Sequence, residues 1–146
     1  PAMTTPPADP QALADLHARC FERPAPWTAG AFASLLEGRG AFLLTEPQGF
    51  LLGRALAGEA ELLTLAVAPE ARRRGLGRRL VAGFRDECHA RAVEEAFLEV
   101  AEDNLAARQL YQSLGWLEAG LRRRYYGPAT DAVVMRLTLR ATQEGG

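Results

Sequence analysis

The positions of apolar residues along the chain follow two periods, one typical of helices and one typical of strands. Leu13, Leu16 and Cys20 recur at helical spacing. Asp9 followed by Pro10 is typical of a helix start, because the carboxylate can cap and proline suits the first helical position. The pattern therefore predicts that the ordered part of the chain begins with a helix at Pro10.

A second helix and three strands are predicted next. The helix begins after Thr28, a cap residue, and runs to about residue 37; Trp27 and Phe32 are spaced to pack across its start as a hydrophobic staple. The predicted strands are Ala41–Thr45, Phe50–Leu56 and Ala60–Val67. Short turn segments separate them, which favours an antiparallel meander.

Helices and strands alternate in the second half of the chain. The predicted elements, in order, are the helix Leu76–Arg91, the strand Ala96–Ala101, the helix Asn104–Leu114 and the strands Trp116–Arg122 and Ala132–Arg140. The strand–helix–strand unit before Asn104 should form a right-handed parallel crossover, and ligands bind beyond the carboxyl ends of such strands.

The whole pattern predicts one α/β (α+β) domain over residues 1–146. We expect a central, mixed, mostly antiparallel sheet of six to seven strands flanked by four helices. The seventh strand would be a short one within residues 1–8, and the chain end from Thr142 to Gly146 should fray.

Composition narrows the chemistry, because the 146 residues contain no lysine and all 17 positive charges are arginines. A side-chain Schiff base and a Walker A phosphate loop both need lysine, so Schiff-base catalysis and Walker A nucleotide binding are excluded for these 146 residues. The catalytic groups left are carboxylates, tyrosines, arginines and the backbone.

Metal, membrane and nucleic-acid functions have little support in the sequence. The two histidines and two cysteines are too scattered for a usual zinc site, so we expect no metal; we also expect His17 and His89 at the surface and Cys20 and Cys88 as small buried hydrophobes. The net charge is −1, and the apolar runs are far shorter than a membrane span. We therefore expect a cytoplasmic location, no membrane association and no specific nucleic-acid binding.

An arginine- and glycine-rich segment, residues 69–79, joins a predicted central strand to a predicted helix. Gly75 and Gly77 let the backbone approach a ligand closely, and N–H groups at a helix start favour phosphate. The arginines around them are Arg72, Arg73, Arg74, Arg78 and Arg79. A solvated basic turn is the alternative, but the position of the segment favours an anion site.

Three polar residues are candidates for the functional site. Glu99 interrupts an apolar strand, where burial would make a carboxylate a stronger base. A hydrogen-bonded structural glutamate, or one on an open sheet face, is the alternative. Asn104 and Tyr111 lie two helical turns apart; they could be a cap and a core residue, or Tyr111 could serve as an acid at a cleft edge.

A basic and aromatic cluster follows, with three arginines at 122–124 and two tyrosines, Tyr125 and Tyr126. Such a composition can stack nucleic-acid bases, but three arginines without further patches are more often a solvated strand end or an anion contact.

Several of these motifs resemble one family. Arg72-x-x-Gly75-x-Gly77 after a strand resembles the acetyl-CoA loop of the GNAT acetyltransferase superfamily. Residues 98–116, Leu98-Glu99-Val100-x-x-x-Asn104-x-x-Ala107-x-x-Leu110-Tyr111-x-x-Leu114-Gly115-Trp116, are similar to the second half of that family. More narrowly, Pro26-Trp27-Thr28 and Arg122-x-x-Tyr125-Tyr126 resemble the bacterial ribosomal-protein-alanine N-acetyltransferases of the RimI type.

The resemblance extends from about Asp9 to Leu139 and implies the GNAT fold, with an acetyl-CoA site at the parallel strand–helix–strand unit. Two departures are mild. Trp116 stands where phenylalanine is common, and Arg124 stands where the bacterial pattern can have asparagine, which could alter acceptor preference.

The resemblance also implies roles for individual residues. Glu99 would be the general base and Tyr111 the general acid. The cofactor-binding residues would be Leu65, Ala66, Val67, Arg72, Arg73, Arg74, Gly75, Leu76, Gly77, Arg78 and Asn104. The three strand residues would pair with the pantetheine arm, and residues 73–78 would hold the pyrophosphate, mostly through backbone N–H groups. Trp27, Tyr125 and Tyr126 would line the acceptor groove.

The implied activity is acetyl transfer from acetyl-CoA, as cosubstrate, to the N-terminal α-amine of a protein, expected to be the N-terminal alanine of a small-subunit ribosomal protein. The expected enzyme is a monomer or a weak dimer. Two alternatives stay open: an acetyltransferase of the same fold acting on a small molecule, a polyamine or a lysine side chain, and a non-enzymatic anion- or RNA-binding domain.

Overall fold

The computed structural model describes residues 9–20, 27–123 and 130–139 of the chain. The helices are α1 (Pro10–Cys20), α2 (Ala29–Glu37), α3 (Leu76–Ala90) and α4 (Leu105–Ser113). The strands are β1 (Ala41–Glu46), β2 (Gly49–Leu56), β3 (Glu59–Val67), β4 (Glu95–Ala101), β5 (Leu117–Arg122) and β6 (Ala132–Thr138). The observed order is the predicted one, and the short strand proposed within residues 1–8 lies outside the described residues.

The six strands form one sheet in the order β1-β2-β3-β4-β6-β5. β3 and β4 pair in parallel, and the other four pairs are antiparallel. This arrangement confirms the predicted α/β fold with a mostly antiparallel mixed sheet. It also places the apolar segment 62–67 in the centre of the sheet, as its lack of a polar face predicted. Within the described residues, no helix combines the length and apolar character that crossing a membrane requires.

The helices cover both faces of the sheet. Phe50 of β2 packs against Phe32 of α2, with ring centroids 5.6 Å apart. A Cβ atom on the neighbouring Gly49 would meet Leu76 and Leu80 of α3 at 3.3 Å. Because consecutive strand residues point to opposite faces, α2 and α3 lie on opposite sides of β2.

The predicted helix starts are confirmed by their caps. Asp9 Oδ1 accepts the Ala12 N–H at 2.9 Å, and Thr28 Oγ1 accepts the Ala31 N–H at 3.1 Å. Each bond satisfies a donor that the first helical turn would otherwise leave without a partner. The rings of Trp27 and Phe32 lie 5.4 Å apart across the start of α2, which is the predicted hydrophobic staple.

His17 does not lie at the surface, so that expectation was wrong, whereas His89 is exposed as predicted. The His17 side chain is 2% exposed, because it falls four residues after Leu13 on the buried stripe of α1. Its Nδ1 accepts the Trp27 N–H at 3.1 Å. The neutral ring then carries its hydrogen on Nε2, which lies 3.1 Å from Thr64 Oγ1 of β3.

The buried ring of His17 joins three parts of the fold. It stacks on Trp27 at 5.1 Å and meets Phe32 edge-on at 5.5 Å. Burial lowers the pKa of His17 to about 4, because the charged imidazolium would lose its hydration there. The neutral histidine therefore ties the start of α2 to the central strand.

This burial predicts a pH dependence of stability. Below its ordinary pKa of about 6.5, His17 takes up a proton in the unfolded chain, while the folded protein stays neutral at that position down to about pH 4. The contribution of His17 to the free energy of unfolding is therefore fully present above about pH 6.5. It falls as the pH drops toward 4, by up to about 1.4 kcal/mol per pH unit.

Urea unfolding of the wild type and of His17→Gln, measured between pH 4 and pH 7, checks this. The variant should lose less stability on acidification than the wild type. His89→Gln, on the exposed side of α3, is the matched control and should keep the wild-type pH dependence. Equal pH dependence in the wild type and His17→Gln would contradict the lowered pKa of the buried His17 ring.

Candidate functional site

An opening in the sheet lies between β3 and β4. Their parallel pairing covers only Glu59–Glu61 against Glu95–Phe97, although both strands continue beyond it. The last residues of β3 still pair with β2 on the other side, for example Leu65 with Leu51. One backbone edge of Leu65–Val67 therefore faces the opening, where an extended ligand arm can form strand-like hydrogen bonds.

The segment after β3 bends back through two residues in the left-handed region. A short 3-10 turn at Pro69–Ala71 is followed by Arg73 at φ +70° and Gly75 at φ +78°, and Gly75 caps α3. Such turns direct successive backbone N–H groups toward one point, which is an anion-binding arrangement. Glycine adopts this conformation at little cost, whereas Arg73 adopts it with strain.

The start of α3 adds further donors. The Arg79 N–H donates to the Gly75 carbonyl at 3.0 Å and begins the helical hydrogen-bond series. The N–H groups of Leu76, Gly77 and Arg78 precede that bond, at the positive end of the helix dipole. This end of α3 is therefore suited to a phosphate or pyrophosphate group.

The arginines of the loop mostly make contacts within the protein. Arg72 Nε donates to the Val67 carbonyl at 3.1 Å, and Arg78 Nη2 donates to Ser113 Oγ at 3.0 Å. Arg79 lies 3.5 Å from the Glu46 carboxylate. Arg73 and Arg74 are exposed. The geometry thus supports an anion site built from backbone N–H groups, with some of the guanidinium groups holding the loop in place.

Glu99 lies on β4, on the side opposite to its buried neighbours Leu98 and Val100. Its side chain is 21% exposed and pairs with Arg122 of β5, with 2.7 Å between Arg122 Nη1 and Glu99 Oε2. The sequence left two alternatives to a buried base, a hydrogen-bonded structural glutamate and a glutamate on an open sheet face. Glu99 combines features of both, since its carboxylate is partly exposed and also ion-paired. Sequence reasoning missed this partner, because Arg122 was noted only within a basic cluster and as the first residue of the motif Arg122-x-x-Tyr125-Tyr126.

Asn104 is a helix cap and Tyr111 is a core residue, as the simpler of the two interpretations predicted. Asn104 Oδ1 accepts the Ala107 N–H at 3.2 Å and caps α4. Tyr111 is 6% exposed, and its ring centroid lies 6.0 Å from that of Trp116. The catalytic role of Tyr111 and the cofactor contact of Asn104 stay predictions.

The predicted acceptor residues are described only in part. Trp27 is half-buried, and the His17 contacts hold its backbone and its ring. Tyr125 and Tyr126 lie outside the described residues, and so does Arg124.

The remaining candidate groups do not point to metal or thiol chemistry. Burial raises the pKa of Cys88 to about 11 and also raises the pKa of Cys20, so both are protonated thiols at neutral pH. Cys20 Sγ donates to the Val67 carbonyl at 3.3 Å. Over residues 9–20, 27–123 and 130–139, no group of three or more His, Cys, Asp or Glu side chains is arranged to hold a metal ion.

Comparison with known proteins gives consistent matches. Residues 6–116 match the profile of the acetyltransferase (GNAT) family. The [ribosomal protein bS18]-alanine N-acetyltransferase of Escherichia coli K12 is 40% identical over 122 residues, which cover 78% of this chain and 82% of that protein. The N-alpha-acetyltransferase RimI of Mycobacterium tuberculosis is 37% identical over 139 residues, covering 88% and 86% of the two chains.

A solved structure agrees with these sequence matches. The ribosomal-protein-S18-alanine N-acetyltransferase of Escherichia coli superposes with a TM-score of 0.81 at 33% identity, covering 91% of this chain and 89% of that one.

The loop geometry predicts the effect of Arg73→Gly. Glycine removes the left-handed strain at this position at some entropic cost, so we expect the free energy of unfolding to rise by about 0.5–1 kcal/mol. The backbone N–H is kept, so the dissociation constant for coenzyme A, measured by calorimetry, should change by less than about 3-fold.

Ala92→Gly is the matched control, because Ala92 also has a positive φ, of +59°, and lies at the far end of α3. It should gain stability without changing coenzyme A binding. A loss of affinity of about 10-fold or more in Arg73→Gly would show that the guanidinium, rather than the backbone, binds the ligand.

Proposed function

The chain belongs to the acetyltransferase (GNAT) family and is an N-acetyltransferase, and on that basis we propose that it acetylates the N-terminal alanine of a small-subunit ribosomal protein. The observation that carries the proposal is its similarity, over most of its length, to enzymes that acetylate the alanine of ribosomal protein bS18. Acetyl-CoA is the acetyl donor in this proposal.

The site fits acetyl-CoA in shape and in chemistry. The opening beyond Phe97 suits the pantetheine arm, and the N–H groups at the start of α3 suit the pyrophosphate. When bound, acetyl-CoA supplies an acetyl group activated as a thioester. The residues proposed to hold it are Leu65, Ala66, Val67, Arg72, Arg73, Arg74, Gly75, Leu76, Gly77, Arg78 and Asn104.

The proposed chemistry needs one base and one acid. Glu99 takes a proton from the acceptor ammonium group, either directly or through a water molecule. The neutral nitrogen then forms a bond to the acetyl carbonyl carbon while the carbon–sulfur bond breaks. Tyr111 gives its hydroxyl proton to the departing sulfur, and the bonded nitrogen loses its surplus proton, which returns through water to Tyr111, so that thiol and amide are the products.

An α-amine suits a partly exposed base better than a lysine side chain does. With a pKa of about 8, roughly 10% of an α-amine is neutral at pH 7, compared with about 0.04% of a lysine amine of pKa about 10.4. This difference corresponds to about 3 kcal/mol of deprotonation free energy. The Glu99 side chain is one-fifth exposed and pairs with Arg122.

The acceptor groove is proposed to include Trp27, Tyr125 and Tyr126. Support for Trp27 comes from its fixed position, since His17 holds both its ring and its backbone N–H. A rigid aromatic wall of this kind can bind the first residues of a peptide at a low entropic cost.

The acceptor is tested with peptides that carry the N-terminal sequence of a bS18 protein. Mass spectrometry should find one acetyl group on the N-terminal alanine when acetyl-CoA is supplied. The matched control peptide begins with an already acetylated alanine and carries an internal lysine, and it should stay unmodified. If bS18 peptides stay inert while polyamines or other small amines react, the proposed acceptor is wrong.

The base is tested with Glu99→Gln, which keeps the size of the side chain and removes its ability to take a proton. We expect kcat at neutral pH to fall by about 100-fold or more, within the usual range for a general base, while acetyl-CoA affinity is kept. Glu95→Gln is the matched control on the same strand and face, and it should keep wild-type turnover. Wild-type turnover in Glu99→Gln would remove Glu99 from the mechanism.

A further inference from the structure

Arg122 reaches Glu99 across an intervening strand. Glu99 lies on β4 and Arg122 on β5, and β6 runs between these two strands. Glu99 is opposite Val134 of β6, and Arg122 is opposite Ala132. The guanidinium must therefore extend over about 9–10 Å of sheet, two strand spacings, to meet the carboxylate at 2.7 Å.

An irregularity in β5 determines which face of the sheet Arg122 occupies. The pairing of β5 with β6 shifts between Glu118 and Gly120, so Ala119 is an extra residue on β5. In a regular strand, Glu118 and Arg122 would share one face, because they are four residues apart. The extra residue reverses the alternation between them.

The contacts of the two side chains agree with this reversal. Glu118 pairs with Arg108 of α4, on the α4 side of the sheet. Arg122 pairs with Glu99 on the opposite side. The bulge thus lets one short edge strand supply a partner to α4 on one face and a partner to Glu99 on the other. Bulges near active sites commonly redirect a side chain in this way.

We propose that Arg122 is the positioning residue of the general base: its guanidinium, directed by the bulge at Ala119, holds the Glu99 carboxylate at the acceptor amine. This inference rests on the proposed function of Glu99. The Arg122 side chain is 53% exposed, so its ion pair contributes little to stability, and the pair is better explained by the orientation of a reacting group than by folding energy.

Arg122→Gln tests the proposal. We expect kcat to fall by about 10-fold or more with the KM values for acetyl-CoA and peptide nearly unchanged, because a loosely held base reacts less often. Arg122→Lys restores a cation and should recover part of the lost turnover. The melting temperature of Arg122→Gln should stay close to that of the wild type.

The matched control is Arg54→Gln. Arg54 pairs with Glu61 at 3.1 Å between neighbouring strands of the same sheet, and the two side chains are 42% and 43% exposed. Removing this arginine should leave kcat unchanged. An equal loss of kcat in both variants would mean that Arg122 acts only through the general integrity of the sheet.

A double-mutant cycle shows whether Arg122 acts through Glu99. In a Glu99→Gln background, the further change Arg122→Gln should lower kcat by less than about 2-fold. A full additional loss, or a rise in the peptide KM without a change in kcat, would overturn the proposal and make Arg122 an independent contact. If Glu99→Gln alone keeps wild-type turnover, the proposed base fails instead, so the two failures are distinguishable.

Discussion

Parallel pairing between β3 and β4 stops after three residues, and the functional arrangement of the molecule depends on that divergence. A parallel pair joined through a helix normally continues along both strands, which would leave no backbone edge for a ligand. Here the end of β3 keeps β2 on one side and an opening on the other. Because Glu99 follows the last paired residue of β4 by two positions, the proposed base lies beside that opening.

The loop after β3 is held in place by contacts to the strand before it and to two helices. Arg72 returns to the strand it has just left, Arg78 reaches α4, and Glu70 pairs with Arg19 of α1. The Arg19 guanidinium holds the pKa of the Glu70 carboxyl below its usual range. These contacts hold the loop on both sides of Arg73, which has a left-handed backbone, so that the proposed pyrophosphate donors would be oriented before a ligand binds.

The two halves of the proposed acceptor side are fixed by different interactions. On one side, the neutral His17 ring holds Trp27 against the central strand through a hydrogen bond and a stacking contact. On the other side, the bulge in β5 turns Arg122 toward Glu99. One half depends on a desolvated ring and the other on an exposed ion pair, so acid and salt should affect them differently.

The sequence by itself determined the local features: the order and period of the elements, the caps Asp9 and Thr28, and the glycine-rich start of α3. Each of these depends on residues within a few positions of one another. The tertiary structure alone decided that His17 is buried, that β3 and β4 diverge, and that Arg122 meets Glu99. These features involve residues up to 47 positions apart in the sequence. They depend on sheet register and on one extra residue in an edge strand. Local periodicity carries no information about which face a distant strand presents.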